Sequence, residues 1–177
     1  MGAEDWISQI ADKNLREWSV IPTSALVFAQ EVRELCSKNQ CGAYGTSWAC
    51  PPAIGSLEQC RDRCMAYEQM LVFTAVYDLE DSYDIDGMQK GAKQFRKMCI
   101  RLHKMLKENG VDHEVLANGG CHRCRVCTYP KEPCRFPDEL LPSLEGQGIY
   151  GNQLAERAGV RYINGANTVT YFGAVLY

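Results

Sequence analysis

Apolar residues along this chain recur with two periods. From Ser24 to Cys36, the positions Ala25, Phe28, Val32 and Leu35 follow helical spacing, which predicts a helix with Ser24 as its N-cap. A second helix is expected from Ser56, with Leu57, Cys60, Cys64, Tyr67 and Leu71 on one face. The clearest pattern covers residues 84–108, where Ile85, Met88, Ala92, Phe95, Cys99, Leu102 and Leu106 form a stripe that Asn109-Gly110 ends. A short helix over Gly151–Ala158 is stopped by Gly159.

Three runs have a different character. Met70 to Tyr77 is continuously apolar and rich in β-branched and aromatic residues, as in a buried strand. His113 to Ala117 predicts a second strand. Thr168 to Tyr177 predicts a third, long and apolar enough for an interior place in a sheet. Strand, long helix, strand suggests a βαβ unit, right-handed if its strands are parallel. Residues 37–55 and 118–148 carry the Gly and Pro of loops. The expected fold is α/β, with α+β as its neighbour. Residues 1–177 read as a single domain, a single-layer sheet with helices and two cysteine-bearing loops.

Composition changes this picture at one point. The chain has 177 residues, 46% of them apolar, which is enough to bury a core without crosslinks. It nevertheless holds 10 cysteines. The start, Met1-Gly2-Ala3-Glu4-Asp5-Trp6, has no basic and apolar leader. No apolar run reaches the roughly 18 residues of a membrane span. A cytoplasmic, reducing setting is therefore expected, where clustered cysteines bind metal or act in redox chemistry. The net charge of −3 argues against nucleic acid and acidic membranes as partners.

Cys121, Cys124 and Cys127 follow the pattern C-x2-C-x2-C, and Cys134 lies beyond, close to Pro133 and Pro137. A thiolate at every third residue can wrap a cuboidal cluster, and ferredoxins use this spacing with a further cysteine beside proline. The fourth cysteine here is more distant, so the match is partial. Gly119 and Gly120 are expected to let the backbone approach the cluster. Zinc or a pair of disulfides is the competing chemistry, but zinc favours paired C-x2-C knuckles with a longer spacer. His122 reads as facing solvent. Arg123, Arg125 and Arg135 are candidate anion clamps, set against the simpler reading of solvated loop charge.

Cys36, Cys41 and Cys50 lie across the other loop, and Cys50-Pro51-Pro52 again sets proline after cysteine. A fourth ligand would come from Cys60 or Cys64, one helical turn apart. Cys60 is nearer the loop and is preferred. Cys64 and Cys99 fall on apolar stripes and read as core. Cys60-x3-Cys64 is followed by Tyr67 where a radical S-adenosylmethionine triad needs cysteine, and no P-loop, G-x-G-x-x-G, H-E-x-x-H or protease triad is visible.

Tyr44-Gly-Thr-Ser-Trp-Ala-Cys-Pro-Pro52, with Leu57-Glu-Gln-Cys-Arg61, resembles the first signature of a family of predicted metal-binding proteins of unknown function, found mostly in anaerobic bacteria and archaea. The second cysteine run through Thr128-Tyr129-Pro130, then Pro133 to Pro137, Pro142 to Glu145 and Thr168 to Gly173, is similar too. The resemblance implies two ligand sets: Cys36, Cys41, Cys50 and Cys60, and Cys121, Cys124, Cys127 and Cys134. Two [4Fe–4S] clusters would fill them, with zinc as the alternative metal. It names no reaction. Electron transfer to a redox partner protein is the first functional expectation. An enzyme using an open cluster iron comes second, and a structural zinc module third.

Overall fold

The computed structural model describes residues 2–177. Four strands form one sheet in the order β1-β2-β4-β3: β1 (Leu15–Pro22), β2 (Gln69–Asp78), β3 (Glu114–Leu116) and β4 (Thr168–Leu176). Every neighbouring pair is antiparallel. Five helices accompany it: α1 (Ala3–Ile10), α2 (Gln30–Ser37), α3 (Leu57–Met65), α4 (Ile85–Glu108) and α5 (Gly151–Ala158).

The expected βαβ unit is present in a modified form. Because β2 and β3 both run antiparallel to β4, they run parallel to each other, but β4 lies between them. This is a split βαβ arrangement. The reason lies in burial. β2 is buried at every residue between its two ends, and the C-terminal half of β4 is buried as well. Strands covered on both faces belong in the interior of a sheet. β3 has only three residues and takes an edge. β4 therefore holds the interior position its apolarity predicts.

Helices cover both faces. On one, Trp6, Ile7 and Ile10 of α1 and Phe95, Met98, Leu102 and Leu106 of α4 pack on Leu71, Phe73, Val115 and Val175. On the other, Leu154 and Ala155 of α5, Cys64 of α3, and Leu144 and Ile149 pack on Met70, Val72, Phe172 and Leu176. Each fully buried side chain of this size stabilises the fold by about 1.5–3 kcal/mol relative to exposure.

Helix termini follow their sequence signals with two exceptions, at the start of α2 and at the end of α3. α3 stops at Met65, so Tyr67 and Leu71 of the expected helical face lie outside it, Leu71 in β2. Ser56 and Gln59 form a reciprocal capping box at α3. Asp84 caps α4 by accepting from the Gly87 N–H at 2.8 Å, and Gly159 closes α5 in the left-handed conformation. The helix expected from Ser24 does not start there. Residues Thr23–Ala25 form a single 3-10 turn and Ala29 is extended. Phe28 instead bridges to Ile149, and the Ala29 N–H donates to the Gly148 carbonyl at 2.9 Å. That long-range pairing delays α2 to Gln30 and leaves Cys36 in its last turn. α1 and β1, for which the sequence pattern marks no element, complete the sheet edge and one helical layer. Among the described residues, no helix is long and apolar enough to cross a membrane.

Candidate metal centre

Both cysteine loops depart from the same region of the fold. At the end of β3, Ala117 pairs with Ser143, and the chain turns into the second loop at Asn118. The Asn118 side chain accepts from the Phe172 N–H of β4 and donates to Oε1 of Glu145. The loop is thereby tied to the sheet on one side and to the 143–149 turn on the other.

Cys121, Cys124, Cys127 and Cys134 line one solvent-open concavity, together with Ser47, Thr128, Phe136 and Leu140. Internal hydrogen bonds shape it. The Thr128 hydroxyl donates to the Pro133 carbonyl at 2.9 Å, and the Arg135 guanidinium donates to the Val126 carbonyl at 3.0 Å. Arg123 pairs with Glu139 at 2.6 Å and lies 3.9 Å over the Phe136 ring. Arg123 and Arg135 are thus engaged in fastening the loop. Arg125 and His122 face solvent. All ten cysteines are free thiols.

The thiol environments are unequal. Burial pushes Cys127 up, but the N–H groups of Tyr129, Trp48 and Thr128 outweigh it and hold the thiol below its ordinary range. Of these donors, Trp48 comes from the first loop. In the opposite direction, the N–H of Cys121 favours the thiolate of Cys50, whose pKa burial pushes up to about 11. The two loops therefore meet, with Cys121 of the second packed against Ala43, Ala49 and Cys50 of the first. A side chain at Gly120 would place its Cβ 2.8 Å from the Ala43 Cβ and 3.8 Å from the Cys50 sulfur. The bare glycine at 120 lets the two loops meet.

In that first loop, Cys50 is buried, Cys36 is half-buried and Cys41 is exposed. The charges of Cys41 and Cys36 both reach Cys50, and that of Cys41 reaches Cys36, so the three share a neighbourhood. Burial, then the Glu145 charge, raises the Cys36 pKa. Cys60 stands in different surroundings. It is fully buried, and its sulfur accepts from Arg33 at 3.4 Å and from Arg63 at 3.2 Å. Cys64 and Cys99 are fully buried in the two apolar layers, where burial pushes each thiol up to about 12. That is the environment expected of core cysteines.

Among the described residues, no group of three or more His, Cys, Asp or Glu side chains converges closely enough to hold a single metal ion. The four thiols of the second set instead stand around a space. Glu145, Trp48 and Arg33 belong to this region and no spacing rule marks them, because their contacts are made across the fold: Trp48 with Glu132, Arg33 with Gly146, and Glu145 with Asn118.

A family model described as "Predicted metal-binding protein (DUF2284)" matches residues 19–177. No curated protein matches, and no solved structure matches.

Proposed function

The chain belongs to this family of predicted metal-binding proteins, and from that premise we propose that it binds two [4Fe–4S] clusters and passes electrons to a partner protein. The donor chemistry supports iron–sulfur binding. Soft thiolates are the favoured ligands of such clusters, and Cys121, Cys124, Cys127 and Cys134 line one solvent-open concavity. Cys36, Cys41 and Cys50 would hold the other cluster, with Cys60 as the fourth ligand expected from the sequence. When bound, such clusters store and release single electrons.

The observation that carries the electron-transfer reading is the direct packing of the two cysteine loops. Trp48 of the first meets Tyr129 of the second edge-on and donates to the Glu132 carbonyl, and Cys121 packs against Ala43, Ala49 and Cys50. Two clusters held in loops that touch would lie close to each other, which suits stepwise passage of an electron from one set to the other, and the polar groups around the sulfurs would tune their potentials. The solvent-open side of the second set is where a redox partner would dock. A reducing, cytoplasmic setting would keep all the thiols free.

Iron, zinc and acid-labile sulfide measured on protein purified without oxygen test the proposal. About eight iron and eight sulfide per chain are expected for two cubane clusters. Zinc without sulfide overturns it.

A further inference from the structure

The second cysteine loop carries a charge opposite to that of the chain. Residues 121–135 hold Arg123, Arg125, Lys131 and Arg135 against Glu132 alone, a local balance of +3 with histidine neutral. The whole chain stands at −3, so the other residues together carry −6.

The carboxylates next along the chain do not offset this loop beyond Arg123. Asp138 is paired with Lys107 at 2.6 Å, and Glu139 with Lys104 at 3.3 Å and with Arg123 at 2.6 Å. Arg135 donates to the Val126 carbonyl, a neutral group, so that bond leaves its charge uncompensated. Arg125 and Lys131 are exposed, and among the described residues their side chains enter no hydrogen bond or ion pair.

Val126 lies between these cations. It is 67% exposed, a large apolar side chain shown to water. In the chain it stands between Cys124 and Cys127, both of which line the thiol concavity. An apolar centre with a charged rim is the make-up of a protein-binding patch. A nucleic acid would meet the same cations, but the −6 on the rest of the chain repels an extended polyanion. A compact acidic protein can face the patch alone.

We infer that this loop is the docking face for an acidic one-electron carrier protein, with Val126 as its apolar centre and Arg125, Lys131 and Arg135 as its charged rim. The inference rests on the electron-transfer reading above and adds to it the chemistry of the partner. Opposite charge steers the two proteins together and turns the solvent-open thiol site toward the carrier. Such steering reaches about 30 Å at roughly 10 mM salt and about 3 Å at roughly 1 M.

The test titrates the full-length chain, purified without oxygen, into three fluorescently labelled probes: an acidic plant-type ferredoxin, a basic cytochrome c and a short oligodeoxythymidine. Fluorescence anisotropy reports binding without any electron passing. At low salt the ferredoxin is expected to bind and the cytochrome to stay free. Raising the salt from roughly 10 mM to roughly 1 M weakens the ferredoxin complex by about tenfold or more. The double change Arg125→Glu with Lys131→Glu weakens it by a similar factor at low salt, whereas Arg125→Lys with Lys131→Arg retains it. Val126→Ser, which keeps every charge, weakens it several-fold at both salt levels. A ferredoxin that fails to bind, a cytochrome that binds as well, an oligonucleotide that binds more tightly, or indifference to the charge reversal overturns the inference. If the ferredoxin binds through these cations but the chain holds zinc without sulfide, or exchanges no electron with it, the electron-transfer reading fails and the docking face stands.

Discussion

The indole of Trp48 meets the ring of Tyr129 edge-on, with centroids 4.9 Å apart, and donates its N–H to the Glu132 carbonyl at 3.0 Å. The two residues lie in different cysteine loops, and this contact holds those loops together beside Cys127. Trp48→Ala removes a ring pair and a hydrogen bond, a loss of about 2 kcal/mol. Iron uptake by the second set is expected to fall, and Trp48→Phe recovers most of the stability. Denaturant unfolding and iron content measured on both variants check this.

Asn118 joins the second loop to β4 and to Glu145 through one amide. Asn118→Ala leaves the Phe172 N–H and a carboxylate oxygen without their partner. Two such losses total about 2–4 kcal/mol. The chemical denaturation midpoint is expected to drop while the far-ultraviolet circular dichroism stays native. An unchanged midpoint contradicts the anchoring role.

Gly173 lies opposite Phe73 in the β2–β4 register. A Cβ at Gly173 would come 2.4 Å from the Phe73 Cζ, and Phe73 is fully buried with no free space to enter. Gly173→Ala is therefore expected to cost about 1–3 kcal/mol through overpacking. The double variant Gly173→Ala with Phe73→Leu should lose less than the sum of the two single changes, which a double-mutant cycle measures.

His103 and His113 share a hydrogen bond of 2.9 Å, and His113 also bonds to the Val111 carbonyl at 2.7 Å. Burial, then the charges of His113 and Lys107, lowers the His103 pKa below its ordinary 6.5, against the opposing pull of Asp138. The unfolded chain thus binds this proton more readily than the folded one. The stability contributed by neutral His103 is present above pH 6.5 and is lost as the pH falls below that value. Unfolding free energies between pH 7.5 and 5.5 should decline in the parent chain and decline less in His103→Asn. Equal slopes would refute the assignment.

The Ser56 cap, the limits of α4 and α5, and the interior place of β4 were all legible in the sequence. Periodicity records how much of an element is buried, and capping chemistry acts within a few residues of itself. The C-x2-C-x2-C run was legible for the same reason, because its cysteines need only a local turn to line one concavity. Other features were not. β1 is an edge strand whose burial pattern is half-exposed, so its composition carries little signal. Phe28 and Ile149 pair across a large sequence separation, and no local rule sees the contact that shortens α2. The guanidinium groups of Arg33 and Arg63 donate to the Cys60 sulfur, and no spacing rule reveals these contacts.

By itself, then, the sequence determined the segments of α3, α4, α5, β2, β3 and β4, which thiols lie together in a loop, and the metal-binding character that the family match supports. Only the tertiary structure decided that β4 separates β2 from β3, that the two cysteine loops pack on each other, and that the Glu145 carbonyl lies beside the Cys36 thiol. The physical reason is common to all three. Each depends on groups brought together by sheet register and loop packing, and those long-range contacts are selected by the burial of the whole core, which no single segment encodes.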